Sequence, residues 1–288
     1  MIETRTVMVL GAGASKPYGL PLGGELRELI LKMNEDDLRE IPTGPQTSSY
    51  DHSGAAFLHA FRRSQFASID AFLARRPEFS VMGKHAIAKA LLPRENADAL
   101  LDKTPDDHWY RYLAHKMDAA WDEIPANKIS FITFNYDRSL ELFLQETFAS
   151  AHGRPADEAR LLVEKIPIVH VYGKLGSMNP ELPDFVPYGG GGPDQGSRYL
   201  YHAEHGLRVI PEGRDNSPEF ITARDLLESA KRICFLGFGF DRMNVERLGN
   251  ELIGAGGRMT GGSGQHHLPF AACRPSPNRR SSKVPGPA

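Results

Sequence analysis

The N-terminus carries the feature that most constrains the fold, a short apolar run followed directly by a glycine-rich turn. Thr6–Leu10 is rich in apolar and β-branched residues, as in a strand that is buried on both faces of a sheet. Gly11–Ser15 comes next, and Glu25–Met33 then has apolar residues at the spacing of one helix face. A strand, a glycine turn and a helix in this order are the first half of a βαβ unit, which predicts an α/β protein.

Strands and helices alternate again in the second half of the chain. The predicted strands are Ile129–Phe134, Ile166–Val171 and Ile233–Leu236, and the predicted helices are Asp137–Thr147 and Pro218–Ala230. After a glycine-rich loop over Tyr188–Gly196, we expect a hairpin that pairs Tyr199–Tyr201 with Leu207–Ile210. The alternation predicts a Rossmann-like, doubly wound and mostly parallel sheet with helices on both faces.

The stretch between about residues 36 and 126 departs from this pattern, because its apolar periodicity is helical. Phe57–Arg76, Val81–Leu92 and Trp109–Trp121 are predicted helices, and prolines separate them. We therefore expect a domain over residues 1–253 that is interrupted by a helical insertion at about 36–126.

The segment Gly254–Ala288 differs from the rest of the chain in composition and charge. It has five basic residues and no acidic one, so the chain before it has 29 basic and 36 acidic residues and a charge of −7. Its glycines, prolines and weak apolar periodicity predict a disordered tail. A doubly wound sheet would continue with a further strand after Leu236, and the tail supplies none. One interpretation is that the tail is not native to the fold.

Composition also excludes several classes of protein. No apolar run reaches the length of a transmembrane helix and the N-terminus has no signal-peptide pattern, so we expect a cytoplasmic protein without a membrane partner. The two cysteines, Cys234 and Cys273, are too few for a disulfide framework or a four-cysteine zinc site. The acidic charge before the tail disfavours direct binding of nucleic acid.

Two interpretations fit the first glycine turn and the Gly19-Leu-Pro21 that follows it. Glycines after a first strand let the backbone approach a phosphate, whose charge the amides at the next helix N-terminus stabilise. The spacing matches neither a GxGxxG nor a Walker A motif, and the alternative is a tight strand-to-helix turn that binds nothing.

Asn135 and Asp137 follow a predicted strand, at the end where open α/β sheets bind ligands. An asparagine there offers a donor and an acceptor to an amide or a water, and an aspartate can accept from an amide or a ribose hydroxyl. Alternatively, either side chain caps the helix that follows.

Two further segments end predicted strands. His170 lies near the end of an apolar strand, where an imidazole could act as a general base, although a lone histidine is more often a hydrogen-bonded core residue. Gly237-Phe238-Gly239, with Asn244 beyond it, could clear space for the other half of a dinucleotide or could simply form a turn.

Taken in order, these segments resemble the sirtuin-like family. That family has a Gly-Ala-Gly-x-Ser turn, a Gly-x-Pro, an Asn-x-Asp at a strand end, a histidine on a strand and a second glycine loop. The matching residues are Gly11–Ser15, Gly19–Pro21, Asn135–Asp137, His170 and Gly237–Gly239. Ser68–Leu73 in the insertion is similar to a recurring piece of the bacterial branch, and the resemblance covers about residues 5–250.

The resemblance implies chemistry on NAD+, and the departures from the family pattern indicate which. Protein deacetylases of the family hold zinc with four cysteines, and the arginine that follows the family's Gly-x-Pro is also missing here. The zinc-free bacterial branch resembles NAD+ glycohydrolases, many of which act in anti-phage defence. We therefore expect an NAD+ hydrolase (NADase) with NAD+ as its substrate and no zinc. A homo-oligomer or a partner protein of a defence system would gate it.

This hypothesis assigns a role to each candidate residue. Asn135 would position the attacking water or the nicotinamide ribose, and His170 would bind ribose hydroxyls and act as the base. Asp137 would hold the carboxamide, and the amides of Ala12–Ser15 would hold the pyrophosphate. The expected NAD+-binding residues are Gly11, Ala12, Gly13, Ala14, Ser15, Pro21, Asp137, Gly237, Phe238, Gly239 and Asn244.

Two other functions stay open. The first is a catalytically silent regulatory subunit that binds NAD+ or ADP-ribose, because the family continues with another strand and an adenosine-ribose contact that this chain does not show. The second is a zinc-independent deacylase.

Overall fold

A computed structural model describes residues 1–38, 53–102, 108–191, 196–209, 217–249 and 274–275. The tail that we expect to be disordered lies outside these residues except for its short strand. The described strands are β1 Thr6–Leu10, β2 Ile129–Thr133, β3 Ile168–His170, β4 Arg232–Leu236 and β5 Arg274–Pro275. Each predicted strand of the α/β pattern is present, within two residues of the expected ends.

The sheet has the order β3-β2-β1-β4-β5, and β1 to β4 are parallel. Leu10, the last residue of β1, pairs with Thr133 on one side and with Leu236 on the other. Thr133 in turn pairs with His170. The four parallel strands therefore end level, and the segments that follow them share one edge of the sheet. The strand order reverses between β1 and β4, which makes their ends a topological switch point.

Burial differs between the middle of the sheet and its β4 side. β1 and β2 are almost wholly buried, whereas β4 is half-exposed along most of its length. The expectation that the tail supplies no strand is wrong, because β5 pairs antiparallel with the start of β4. β5 has only two residues, and a strand that short carries too little apolar periodicity to be recognised in the sequence.

The helices fall between these strands in the order that the α/β pattern predicts. They are α1 Ala12–Ser15, α2 Gly23–Leu31, α3 Gly54–Ser64, α4 Ile69–Arg75, α5 Ser80–Leu91, α6 Ala97–Leu101, α7 Trp109–Met117, α8 Ser139–His152, α9 Ala156–Val163, α10 Gly196–Gly206, α11 Pro218–Ser229 and α12 Arg242–Leu248. α6, α9, α10 and α12 are additions to the helices predicted from the sequence, and α1 forms within the predicted glycine turn. The described part of the chain is thus α/β, with four parallel strands and one short antiparallel strand.

Every described element between α2 and β2 is helical. The single helix that we expect over Phe57–Arg76 is divided into α3 and α4. Gln65 ends α3 in a left-handed conformation, with φ of 58°, and the Ser68 hydroxyl caps α4 by accepting from the Ala71 amide. These helices share one apolar core with the sheet, to which Phe57, Phe61 and Phe72 contribute fully buried rings.

The prediction of a hairpin that pairs Tyr199–Tyr201 with Leu207–Ile210 is wrong for the residues that the structure describes. Ile210 lies outside them. Tyr199–Tyr201 belongs to helix α10. Leu200 and Ala203 pack against the core three residues apart, which is helical spacing, and they outweigh the alternating tyrosines that suggested a strand. The buried Glu204 fixes α10 against α5 through the His85 ring, at 2.8 Å from Nδ1.

Candidate functional site

The turns after β1 and β4 are in direct backbone contact. The amide of Gly11 donates to Leu236 O at 3.0 Å, and the amide of Gly13 donates to Gly237 O at 3.0 Å. A Cβ on Gly11 would lie 2.6 Å from Gly237 O, and one on Gly13 would lie 2.8 Å from Gly237 Cα. Close approach of two backbones therefore accounts for these three glycines.

This packing reduces the number of backbone amides in the first turn that could bind a phosphate. The amide of Gly13 is taken by Gly237 O and that of Ala14 by Gly11 O, the latter at 2.8 Å. At most the amides of Ala12 and Ser15 remain for an anion. The carbonyl of Ala14 accepts from the Trp109 indole at 2.8 Å, so α7 of the insertion holds this turn from its other side.

Asn135 links the end of β2 to the turn after β1. Its Nδ2 donates to Gly11 O at 3.0 Å and to Ser15 Oγ at 2.9 Å. Since an amide nitrogen must face these acceptors, the orientation of the side chain is determined. Its Oδ1 is then buried without a hydrogen-bond partner among the described residues. A fixed, desolvated acceptor is left at the switch point, where a donor on a ligand would satisfy it.

Asp137 bonds both the helix that follows it and the turn after β1. Its Oδ1 accepts from the amide of Ser139, the first residue of α8, at 3.2 Å, which is the helix-capping interpretation. It also hydrogen-bonds the hydroxyl of Ser15, and it is buried, so that desolvation raises its pKa. Ser15 therefore connects Asn135 and Asp137 at the base of the site.

His170 lies at the same edge, but both of its ring nitrogens are engaged. Nδ1 is 2.9 Å from Asn135 O, and Nε2 is 2.9 Å from Oε1 of Glu141 on α8. Both partners accept hydrogen bonds, so an imidazolium donates to both, whereas a neutral ring donates to one. His170 is also buried, with 8% of its surface exposed. It holds the backbone of Asn135 in place, and it offers no free nitrogen to a ligand in this conformation.

The neighbours of Glu141 stabilise its charged carboxylate. Burial alone would raise the pKa of the carboxyl, but the nearby charges of His170 and Lys174 outweigh it and lower the pKa to about 2. The Lys174 ammonium is 3.5 Å from the oxygen that contacts His170, and Oε2 is buried without a partner among the described residues.

The lowered pKa of Glu141 predicts a loss of stability in acid. A carboxyl with a lowered pKa stabilises the fold above its unfolded pKa of about 4.5, and this contribution disappears as the pH falls toward 2. We expect the free energy of unfolding to fall about 2 kcal/mol further in the wild type than in Glu141→Gln between about pH 6 and pH 3. Urea unfolding of both proteins measures this, with Glu146→Gln on the same helix as a control. Equal pH dependence in wild type and Glu141→Gln would contradict it.

An aromatic and polar cluster lines the β4 side of the site. The ring centroid of Phe238 is 4.9 Å from that of Phe134, which directly follows β2. The Tyr172 hydroxyl donates to Asn244 Oδ1 at 2.5 Å and accepts from the Arg247 guanidinium at 2.6 Å. Asn244 is thus brought to the site edge but is already bonded, while a Cβ on Gly239 would meet no atom within 4 Å.

Pro21 lies apart from this constellation. It lines a cavity of about 450 Å³ with Lys16, Gly19 and Arg94, among other residues. A second cavity, of about 170 Å³, is lined by Glu141, Arg160 and Lys174, among other residues. The motif Gly19–Pro21 therefore lines a neighbouring cavity and does not contribute to the hydrogen bonds around Asn135.

Sequence reasoning missed three residues of the site. Glu141, Tyr172 and Arg247 each contact a candidate residue or its neighbour. Glu141 carries a recognisable signal, because a carboxylate among the apolar residues at the start of α8 needs a buried partner. Tyr172 and Arg247 carry no such signal in the sequence, since their pairing depends on how α12 packs against the end of β3.

The described residues contain no group of three or more histidine, cysteine, aspartate or glutamate side chains that could hold a metal ion. Among them there is also no helix long and apolar enough to cross a membrane. Comparison of the chain with protein-family models, with curated proteins and with solved structures gave no match.

Proposed function

We propose that this chain is a sirtuin-like NAD+ glycohydrolase with a Rossmann-like, doubly wound domain. The observation that carries the proposal is the Asn135 amide, whose orientation is fixed by Gly11 and Ser15 and whose Oδ1 is buried without a partner among the described residues. It lies at the switch point of a parallel sheet, where such folds bind nucleotides. The resemblance of the ordered motifs to the sirtuin-like family supports the same ligand.

The reaction is hydrolysis of the bond between nicotinamide and ribose. The electron pair of that bond leaves with nicotinamide, the pyridinium nitrogen becomes neutral, and positive charge develops on the ribose as in glycoside cleavage. Water adds to the ribose carbon and loses one proton, which gives ADP-ribose. Asn135 Oδ1 accepts a hydrogen bond from the attacking water or from a ribose hydroxyl. The ligand thereby supplies the partner that this orphaned acceptor lacks among the described residues.

The remaining candidate residues would contact the rest of the dinucleotide, but fewer of their backbone amides are available than the sequence suggests. The amides of Ala12 and Ser15 bind the pyrophosphate, Asp137 faces the carboxamide, and Phe238 and Gly239 border the other half of the ligand. The open space beside Gly239 suits a ligand that approaches the backbone closely. By resemblance we place the activity in anti-phage defence, gated by self-assembly or a partner protein.

The contacts of His170 restrict its part in the mechanism. A general base needs a nitrogen that can reach the attacking water, and both nitrogens here face acceptors of the protein. We propose that His170 fixes the backbone of Asn135 and becomes a base only after the contact with Glu141 opens.

The same observation favours one rival, a regulatory subunit that binds NAD+ or ADP-ribose without turnover. Such a protein needs the switch-point cradle and the amide of Asn135, but it needs no free imidazole. If the contact between His170 and Glu141 stays closed in the bound state, binding without hydrolysis follows.

Incubation of the purified protein with NAD+, with and without an acylated peptide, separates these functions. We expect nicotinamide and ADP-ribose to be released in equal amounts without the peptide, measured by liquid chromatography. NAD+ binding by calorimetry without turnover would support the regulatory subunit instead, and peptide-dependent release would indicate a deacylase. If the protein is folded but neither binds nor hydrolyses NAD+, the proposal is overturned.

A further inference from the structure

We propose that Asp70, on helix α4 of the insertion, is a positioning residue that holds Asn135 in place through Tyr136. The Tyr136 hydroxyl donates to Asp70 Oδ1. Tyr136 stands between Asn135 and Asp137 in the chain, so this contact ties the insertion to the loop that carries the orphaned acceptor. The activity measurements below depend on the proposed function, whereas the exchange measurements do not.

Contacts of the loop after β2 alternate between the site and the insertion. Asn135 and Asp137 bond Ser15 and the turn after β1. Tyr136 bonds Asp70, and Arg138 bonds Glu95, which follows α5 in the insertion. Because the contacts alternate along residues 135–138, anchoring Tyr136 and Arg138 from the insertion holds Asn135 and Asp137 toward the turn after β1.

The two anchors differ in how much of the fold depends on them. Arg138 and Glu95 have fully buried side chains, and the guanidinium also donates to Val186 O at 2.5 Å. Removing Glu95 leaves a buried charge and endangers folding. Asp70 is half-buried, and desolvation of its carboxyl raises its pKa. It bonds a neutral hydroxyl, so its removal leaves a hydroxyl rather than a charged group without its partner and tests positioning with less risk to the fold.

Tyr136 transmits the effect of Asp70 because its ring and backbone are both constrained. Tyr136 is 6% exposed as a whole residue, and a buried hydroxyl requires a partner. Its carbonyl accepts from the amide of Leu175 at 3.1 Å. This bond ties the ring to α4, so removing either Asp70 or the Tyr136 hydroxyl releases the ring, and the peptide that joins Tyr136 to Asn135 moves with it.

The test compares Asp70→Ala with Asp70→Asn, which keeps an acceptor for the Tyr136 hydroxyl. We expect Asp70→Ala to lower kcat for NAD+ hydrolysis at least about tenfold with KM within about twofold, and Asp70→Asn to restore kcat to within about threefold. Tyr136→Phe removes the donor alone and should reproduce Asp70→Ala, and the double variant should be no worse than either single one. Asp122→Ala, an exposed carboxylate of the insertion, is the matched control and should leave kcat unchanged.

Hydrogen–deuterium exchange over residues 134–140 provides the readout that does not need activity. The amides of Asn135, Arg138 and Ser139 are bonded to side chains of Thr133, Glu95 and Asp137. We expect these amides to exchange faster in Asp70→Ala and Tyr136→Phe than in wild type, and Asp70→Asn to resemble wild type.

Unchanged exchange in this segment in folded Asp70→Ala would overturn the inference, whatever the activity. Faster exchange in these variants, together with a wild type that hydrolyses no NAD+, would retain the inference and reject the proposed function. If Asp70→Ala does not fold, Tyr136→Phe gives the decision, since it removes one oxygen. A kcat lowered equally in Asp70→Ala and Asp70→Asn would also overturn it, because the restored acceptor would then have no effect.

Discussion

Replacing Asn135 with alanine should lower the rate of nicotinamide release from NAD+ by at least about 100-fold while the protein stays folded. The fixed amide is the group that we expect to contact the attacking water or the ribose, and loss of a positioned polar group at the reacting centre costs about 3 kcal/mol of transition-state stabilisation. The substitution also removes one of the two donors to Gly11 O and the Asn135 donor to Ser15 Oγ, which should lower the melting temperature by several degrees without preventing folding. Chromatography of nicotinamide and a thermal melt of the same sample measure both effects.

Asn127 provides the matched control for this substitution. Its Nδ2 donates to Met117 O and Ile124 O at 2.8 Å, and its Oδ1 accepts from the Ile2 amide at 2.6 Å. This asparagine is satisfied on every side and lies at the other end of β2. Asn127→Ala should therefore lower stability but leave turnover per folded molecule near the wild-type value. A folded Asn135→Ala protein that releases nicotinamide at the wild-type rate would remove the proposed role of Asn135.

Local sequence patterns predict the sheet and its site edge because both depend on short segments. The apolar run Thr6–Leu10 and the glycines after it define β1 and its turn, and the run before Asn135 defines β2. Parallel register then brings the strand ends together without any further information in the sequence. The first turn and Asn135 meet for this reason, as the bond from Asn135 to Ser15 shows.

The partners of the site could not be predicted in the same way. Tyr136 and Asp70 are 66 residues apart, and Arg138 and Glu95 are 43 apart. Their contacts depend on how the helices of the insertion pack onto the sheet, and a single sequence does not encode that packing in a readable periodicity. The glycines after β1 and β4 are recognisable as motifs in the sequence. The sequence does not show that the backbones of these two turns are in contact with each other.

Gly237 is the glycine for which substitution should cost most. Its φ of +60° lies in the left-handed region, which costs an alanine about 1 kcal/mol or more. A Cβ there would also lie 2.0 Å from the amide nitrogen of Ala14, a backbone atom that cannot move without displacing α1. The bond from the Gly13 amide to Gly237 O would be broken at the same time. Conformation, steric overlap and hydrogen bonding therefore all oppose a side chain at this position.

We accordingly expect Gly237→Ala to lower the free energy of unfolding by about 4 kcal/mol, or the melting temperature by about 10 °C, and to abolish binding of NAD+. Gly239→Ala, two residues on, should change stability by less than about 1 kcal/mol, because no atom lies within 4 Å of the added Cβ and its φ is outside the left-handed region. The pair separates the two interpretations of the second glycine loop. If Gly239→Ala weakens NAD+ binding without loss of stability, that glycine is there for the ligand, whereas Gly237 is required by the contact with α1. Melting of Gly237→Ala within about 2 °C of wild type would show that the turns after β1 and β4 are not packed as described.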